Sequence, residues 1–289
     1  MEARPPADAF GEFYYSHCCG KPYQRNDEWL AVFDGMAERI RSDIAPRRAL
    51  DAGCAIGLLV ERLRARGIDA EGIDISTYAI EQAHESVRPH CRVGSLTSEL
   101  PRSYDLIVCI EVLEHLAADD AAAALANMCR HSEDILFSSS PRDFAEQTHV
   151  NVRPPEDWAE LFARQGFLRD LDFDASFITP WAARFRRRSE PLPRVIREYE
   201  RAYARAVEER NELRNQVLQW DRHVQAEAAQ APALRADLAR VNAALQAAQQ
   251  RIAERDDTVR HMEASRFWQL RALWRGLAGT LRGRSGGQR

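Results

Sequence analysis

Over the first 185 residues, apolar positions follow two alternating rhythms. Across residues 29–44, Leu30, Phe33, Met36 or Ala37, and Ile40 step by threes and fours, the spacing of one helix face, and Pro46 ends the run. Residues 48–63, RALDAGCAIGLLVERL, read as a short apolar strand ending in Asp51, a turn carrying Gly53, Ala55 and Gly57, and a helix with Leu58, Leu59 and Leu63 on one face. Gly67 closes that helix. A second strand, residues 68–75, ends at Asp74, and a helix over 76–87 follows from Ser76. CRVGSL is a short third strand with its tip at Gly94 and Ser95. YDLIVCI is an unbroken apolar run of the kind buried on both faces of a parallel sheet, and Glu111 follows it. An alanine-rich helix leads to the fifth strand, DILFSSSP. Pro-Pro then opens a helix with Trp158, Leu161 and Phe162 on one face, and FLRDLDFDAS is the last main strand. Strands alternating with helices predict an α/β fold, a Rossmann-like, doubly wound and mostly parallel sheet.

After Trp181 the rhythm changes. The expected organisation is a domain over 10–185, a basic linker over 186–195 and a coiled coil over 196–263. In the coil, apolar residues from Ile196 to Met262 step alternately by three and four, with Arg210, Glu227 and Arg255 as polar intrusions. Pro232 interrupts the ladder, predicting either a kinked coil or two halves folded back as a hairpin. Residues 264–289 place Phe267, Trp268 and Trp274 among Arg266, Arg271 and Arg275. That is a basic amphipathic helix suited to an anionic membrane surface, a partner or the coil itself, followed by a glycine-rich disordered tail. Residues 1–9 lack periodicity and are expected to be disordered. The aromatic stretch that follows either packs its rings on the domain or forms a lid bearing Tyr14, Tyr15, His17 and Tyr23.

A chain of 289 residues can hold one full α/β domain and a further element. Its net charge of −4 gives no general attraction to nucleic acid. The six cysteines show neither a C-x-x-C pair nor a metal spacing, and no Asp/Glu/His cluster compels a metal. No apolar run reaches the ~20 residues of a membrane span, and the N-terminus lacks an apolar signal core, so the expected location is the cytoplasm.

The turn after Asp51 carries the chemistry. Small residues let a ligand lie against bare backbone, and the helix beyond presents unpaired N–H groups. A dinucleotide fingerprint would need glycine at 53, 55 and 58, but those positions hold Gly53, Ala55 and Leu58. Asp74 lies 21 residues after Gly53, where a βαβ unit brings a second strand tip beside the first and a carboxylate can accept both ribose hydroxyls.

Asp51-Ala-Gly53-Cys-Ala55-Ile-Gly57 resembles the D-x-G-x-G-x-G motif of class I S-adenosylmethionine (SAM)-dependent methyltransferases, with alanine for the middle glycine. EVLEHL, residues 111–116, resembles the segment after strand four in the same family. The resemblance implies SAM as cofactor, held by Asp51, Gly53, Ala55 and Gly57 in the turn, Asp74 and Ile75 at the ribose, Ser95 and Leu96 at the adenine, and Glu111 and Val112 lining the site. Ser95 stands where relatives often carry an aspartate. An oxygen acceptor gains from a general base, and His115 and His149 are the two candidates near the strand tips.

Over residues 10–185 the chain looks like bacterial methyltransferases of surface-polysaccharide and glycan biosynthesis. That likeness implies O-methylation of a sugar or glycan intermediate; the coil adds oligomerisation or a partner protein, and the tail a contact with the membrane. The alternatives are a coiled-coil assembly protein with a degenerate SAM domain, and a methyltransferase acting on another small molecule or RNA.

Overall fold

The computed structural model describes residues 7–264 and Leu270. All but Ala264 and Leu270 of the basic helix and tail expected over 264–289, and most of the stretch expected to be disordered over 1–9, lie outside the described residues. The chain divides into two units, Met1–Tyr203 and Ala204–Arg289.

The first unit is built on a seven-stranded sheet. Its strands are β1 (Arg48–Ala52), β2 (Asp69–Asp74), β3 (Cys91–Val93), β4 (Leu106–Ile110), β5 (Asp134–Ser138), β6 (Phe167–Arg169) and β7 (Ala183–Arg187), in the order β3-β2-β1-β4-β5-β7-β6. The first five run parallel. β7 runs antiparallel to both its neighbours, β5 and the edge strand β6. The helices are α1 (Glu12–His17), α2 (Asp27–Asp43), α3 (Leu58–Ala65), α4 (Thr77–Gln82), α5 (Ala118–His131) and α6 (Pro155–Arg164). One face of the sheet packs Leu50, Ile107 and Phe137 against Leu125, Trp158 and Phe162 of α5 and α6. The other packs Ala49, Val108 and Leu136 with Ile40 of α2 and Leu59 and Leu63 of α3. Residues buried on both faces account for the continuous apolar run of β4.

β7 departs from the sequence reading, which assigns its residues to the domain end and a basic linker. The strand hides in a run of arginines because those arginines are paired. Arg184 Nε donates to Asp134 at 2.9 Å, and Arg187 Nε donates to Glu133 at 2.8 Å with its guanidinium over the Phe167 ring. Between them Phe185 stacks on Phe162, ring centroids 4.0 Å apart. Arg184 alternates with the buried Ala183 and Phe185 in a strand period, and Arg187, on the Phe185 side, closes the strand over the Phe167 ring. Of the stretch expected as a final strand, only Phe167–Arg169 is extended in the sheet.

A third cluster lies over the turn after β1. Tyr15 is buried with Ile56, Leu58 and Ala79, flanked by Phe10, Tyr14, Tyr23 and Tyr78. The Ser76 hydroxyl donates to the Phe10 carbonyl at 2.6 Å, tying this segment to the start of α4.

The last helix, α7 (Leu192–Ala264), starts in the first unit, where Arg188 donates to Glu198 at 2.9 Å, and supplies the described part of the second. Helical geometry continues on both sides of Pro232. No helix among the described residues is long and apolar enough to cross a membrane.

Candidate functional site

Strands β2, β1 and β4 are parallel neighbours, so the turns beyond their C-terminal ends lie side by side. In the first turn Gly53 has φ +89°, and a Cβ there would lie 2.2 Å from Val112 Cγ2. Glycine is therefore required twice, by conformation and by the approach of the turn after β4. Gly57 has φ +75°, and a Cβ there would lie 2.9 Å from Cys91 Sγ. Ala55 takes φ +48°, so it occupies a glycine conformation at a strain of about 1–2 kcal/mol.

Asp51 is buried at the end of β1, and no hydrogen bond to its carboxylate forms among the described residues. Burial, and then the nearby charge of Asp74, push its carboxyl up to about 8. Asp74 is better served: one oxygen accepts from Ala55 N and the other from Ser76 N, each at 2.8 Å. Burial still raises its pKa. Two buried carboxyls, one without a donor, make a place that favours a cationic and hydroxylated ligand.

Ile75 is half-buried directly after Asp74. Ser95 is half-buried, its hydroxyl 2.8 Å from Thr97 Oγ1. Leu96 sends its side chain into the core and its carbonyl to Asn127 Nδ2 at 2.8 Å, so it can offer a ligand backbone only. Glu111 takes φ +53° and is clamped from β5 and the loop before β7: the Ser138 hydroxyl and Trp181 Nε1, the latter at 3.0 Å, both donate to Oε1. Trp181 and Ser138 are absent from the site read from sequence because the first follows the stretch read as the last strand and the second lies within β5.

EVLEHL does not open a regular helix. Leu113–His115 is a single 3-10 turn that buries Glu114 and His115. Glu114 Oε1 accepts from Ser140 N at 3.1 Å, whereas Oε2 is buried without a partner. Burial, and then Glu111, push this carboxyl up to about 8.

The structure brings the two histidines together, with ring centroids 4.7 Å apart. His115 Nδ1 lies 2.9 Å from Thr148 Oγ1 and 3.3 Å from the Thr148 carbonyl. A carbonyl only accepts, and Thr148 Oγ1 itself donates to Glu146 at 3.1 Å, so the proton sits on His115 Nδ1. Nε2 is then the acceptor, 3.4 Å from the Tyr14 hydroxyl. Burial, followed by His149, lowers the His115 pKa to about 4. His149 Nδ1 donates to the Asp143 carbonyl at 2.8 Å. Thr148 and Glu146, which orient His115, carry no sequence signal of their own because only the loop's folding places them there.

The sheet order, with one antiparallel strand near an edge, and the glycine turn facing an acid on the neighbouring strand define a class I, Rossmann-like methyltransferase domain. A family model described as a methyltransferase domain matches residues 23–168. The chain belongs to this methyltransferase family, whose methyl donor is SAM. Among curated proteins it is similar to the ubiquinone biosynthesis O-methyltransferase of Methylococcus capsulatus, 33% identical over 35% of this chain and 46% of that one. The same enzyme from Neisseria meningitidis is 27% identical over 48% of this chain and 65% of that one. The chain thus spans about half the length of the curated relatives it matches. Similar solved structures include the Synechocystis magnesium protoporphyrin IX methyltransferase, with TM-score 0.49 and 16% identity, covering 63% of this chain and 100% of that one. A Streptoalloteichus sugar N-methyltransferase has TM-score 0.49 and 18% identity, covering 65% of this chain and 98% of that one.

Proposed function

We propose that this chain transfers a methyl group from SAM to a hydroxyl of a small acceptor. The carrying observation is the pair Asp51 and Asp74 at adjacent strand ends beneath the backbone that Gly53 leaves bare. Asp51, which lacks a hydrogen-bond donor, would hold the cationic part of the donor, and Asp74 its ribose. The bound cofactor supplies an activated methyl group on a positively charged sulfur. The protein's task is then to hold the acceptor in line and accept its proton. His115 is neutral at physiological pH and presents Nε2 as an acceptor, oriented through Nδ1 by Thr148.

For the acceptor we favour a sugar or glycan intermediate, supported by the likeness to methyltransferases of surface-polysaccharide and glycan biosynthesis. The curated relatives support a second reading, an intermediate of ubiquinone biosynthesis. The N-terminal segment over the turn serves as a lid in either case, supported by Tyr14 reaching His115. SAM-consumption assays against nucleotide sugars, glycan fragments and ubiquinone precursors test this. Turnover confined to the sugars supports the first reading, and turnover confined to the precursors the second.

A further inference from the structure

Among the described residues, the unit beyond residue 203 is a helix whose apolar seam is exposed. Leu213, Val217, Trp220, Leu238, Leu245 and Ile252 are each more than half exposed, although they recur at the a and d positions of one heptad frame. Counting from Arg210 at a, the frame runs seven heptads to Val259 without a skip. An isolated helix gains nothing from keeping such a frame, because its seam stays in water.

We infer that this face is covered by a second copy of the same chain, parallel and in register, as a two-stranded coiled coil. The flanking charges carry the orientation. In a parallel pair each g residue faces the e residue five positions later in the partner helix. Glu209 at g then faces Arg214 of the second copy, and Arg251 at g faces Asp256 of the second copy. No g and e pair along the frame brings like charges together. The polar intrusions fix the register at a cost in stability, since Arg210, Glu227 and Arg255 each meet their own copy across the seam; Arg210 also lies beside Glu209 of the second copy, and Arg255 beside Asp256 of the second copy. Glu227 at d has its own His223 Nε2 at 3.3 Å. Valine or isoleucine fills four a positions (Val217, Val224, Ile252, Val259) and leucine two d positions (Leu213, Leu234), the two-stranded preference, which holds at the two ends of the frame; its middle reverses it, with Leu238 and Leu245 at a and Val241 at d. Pro232 falls at b, outside the seam, so the amide it lacks is lost on the outer face.

The test uses the full chain. Sedimentation equilibrium should give twice the 32.9 kDa chain mass. Leu213→Cys and, in a separate variant, Leu234→Cys should each form a disulfide-linked dimer on mild oxidation where the parent chain does not. Only a parallel, in-register pair brings both positions to themselves. Glu209→Arg should weaken the dimer about tenfold, through two symmetry-related contacts, and Glu209→Arg with Arg214→Glu should restore it. A monomer, a trimer, a dimer that crosslinks at neither cysteine or at one alone, or a dissociation constant indifferent to the charge reversal overturns the inference. A monomer that sediments only with anionic vesicles would overturn it too, and would assign the face to a membrane instead.

Discussion

The Tyr14 hydroxyl lies 3.4 Å from Nε2 of His115, across 101 residues of sequence, and occupies the one imidazole nitrogen able to accept a proton. The N-terminal helix therefore stands where an acceptor hydroxyl would meet its base. His115→Asn should lower kcat by about 10²–10⁴-fold while leaving SAM affinity within about twofold. Tyr14→Phe should keep the fold and alter acceptor KM more than kcat. Steady-state kinetics with the acceptor found by screening checks both, and a His115→Asn enzyme of normal kcat would remove His115 from the chemistry.

Protonation at Asp51 gives a second prediction. With its carboxyl held near 8, the ligand-free protein at pH 7 keeps the proton there. A cation bound beside it favours the ionised form, so SAM binding should release close to one proton at pH 7. Calorimetry in buffers of different ionisation enthalpy measures that release, and Asp51→Asn should abolish it.

The same shifts set the pH dependence of stability, with opposite signs. His115 titrates near 4 when folded and near 6.5 when unfolded, so the unfolded chain binds the proton more tightly. Its contribution is complete above about 6.5 and lost as pH falls toward 4, by roughly 3 kcal/mol over the whole window. Asp51, raised by burial, destabilises the ligand-free fold progressively as pH rises toward 8. Thermal melts from pH 4 to 7 should show a flatter acid side for His115→Gln than for the parent chain.

In the turn, Gly53→Ala should abolish SAM binding, because the added Cβ meets Val112 and the backbone stays at positive φ. Ala55→Gly removes a strained methyl at φ +48° but loosens the unfolded chain. Its effect on stability should stay within about 1 kcal/mol, with SAM binding retained. A melt and a SAM titration on each variant read both effects.

Strand β7 offers a test of the sheet. Phe185→Ala removes a ring stacked on Phe162 in the core and should cost about 3–5 kcal/mol in urea unfolding.

The strand tips were legible because their signals are local: an apolar run, an acid, a small residue. Asp51, Gly53, Gly57 and Asp74 therefore stand out from sequence, and the structure sets the two acids at adjacent strand ends and the two glycines in the turn between β1 and α3. β7 was obscured because Arg184 and Arg187 look like a solvated linker until Asp134 and Glu133 are placed opposite them. Thr148, Glu146 and Trp181 were equally invisible, since each acts through a partner more than thirty residues away or through a loop that only the fold closes. Leu96 shows the converse. Its position beside Ser95 suggested a ligand contact, yet its side chain fills the core.

The central claim is that the crevice at Asp51 and Asp74 binds SAM, and calorimetric titration of SAM into the full chain tests it most directly. The account predicts one site per chain, with affinity lost in Gly53→Ala and proton release lost in Asp51→Asn. An absence of binding up to about 1 mM SAM, weaker than about −4 kcal/mol, would contradict it.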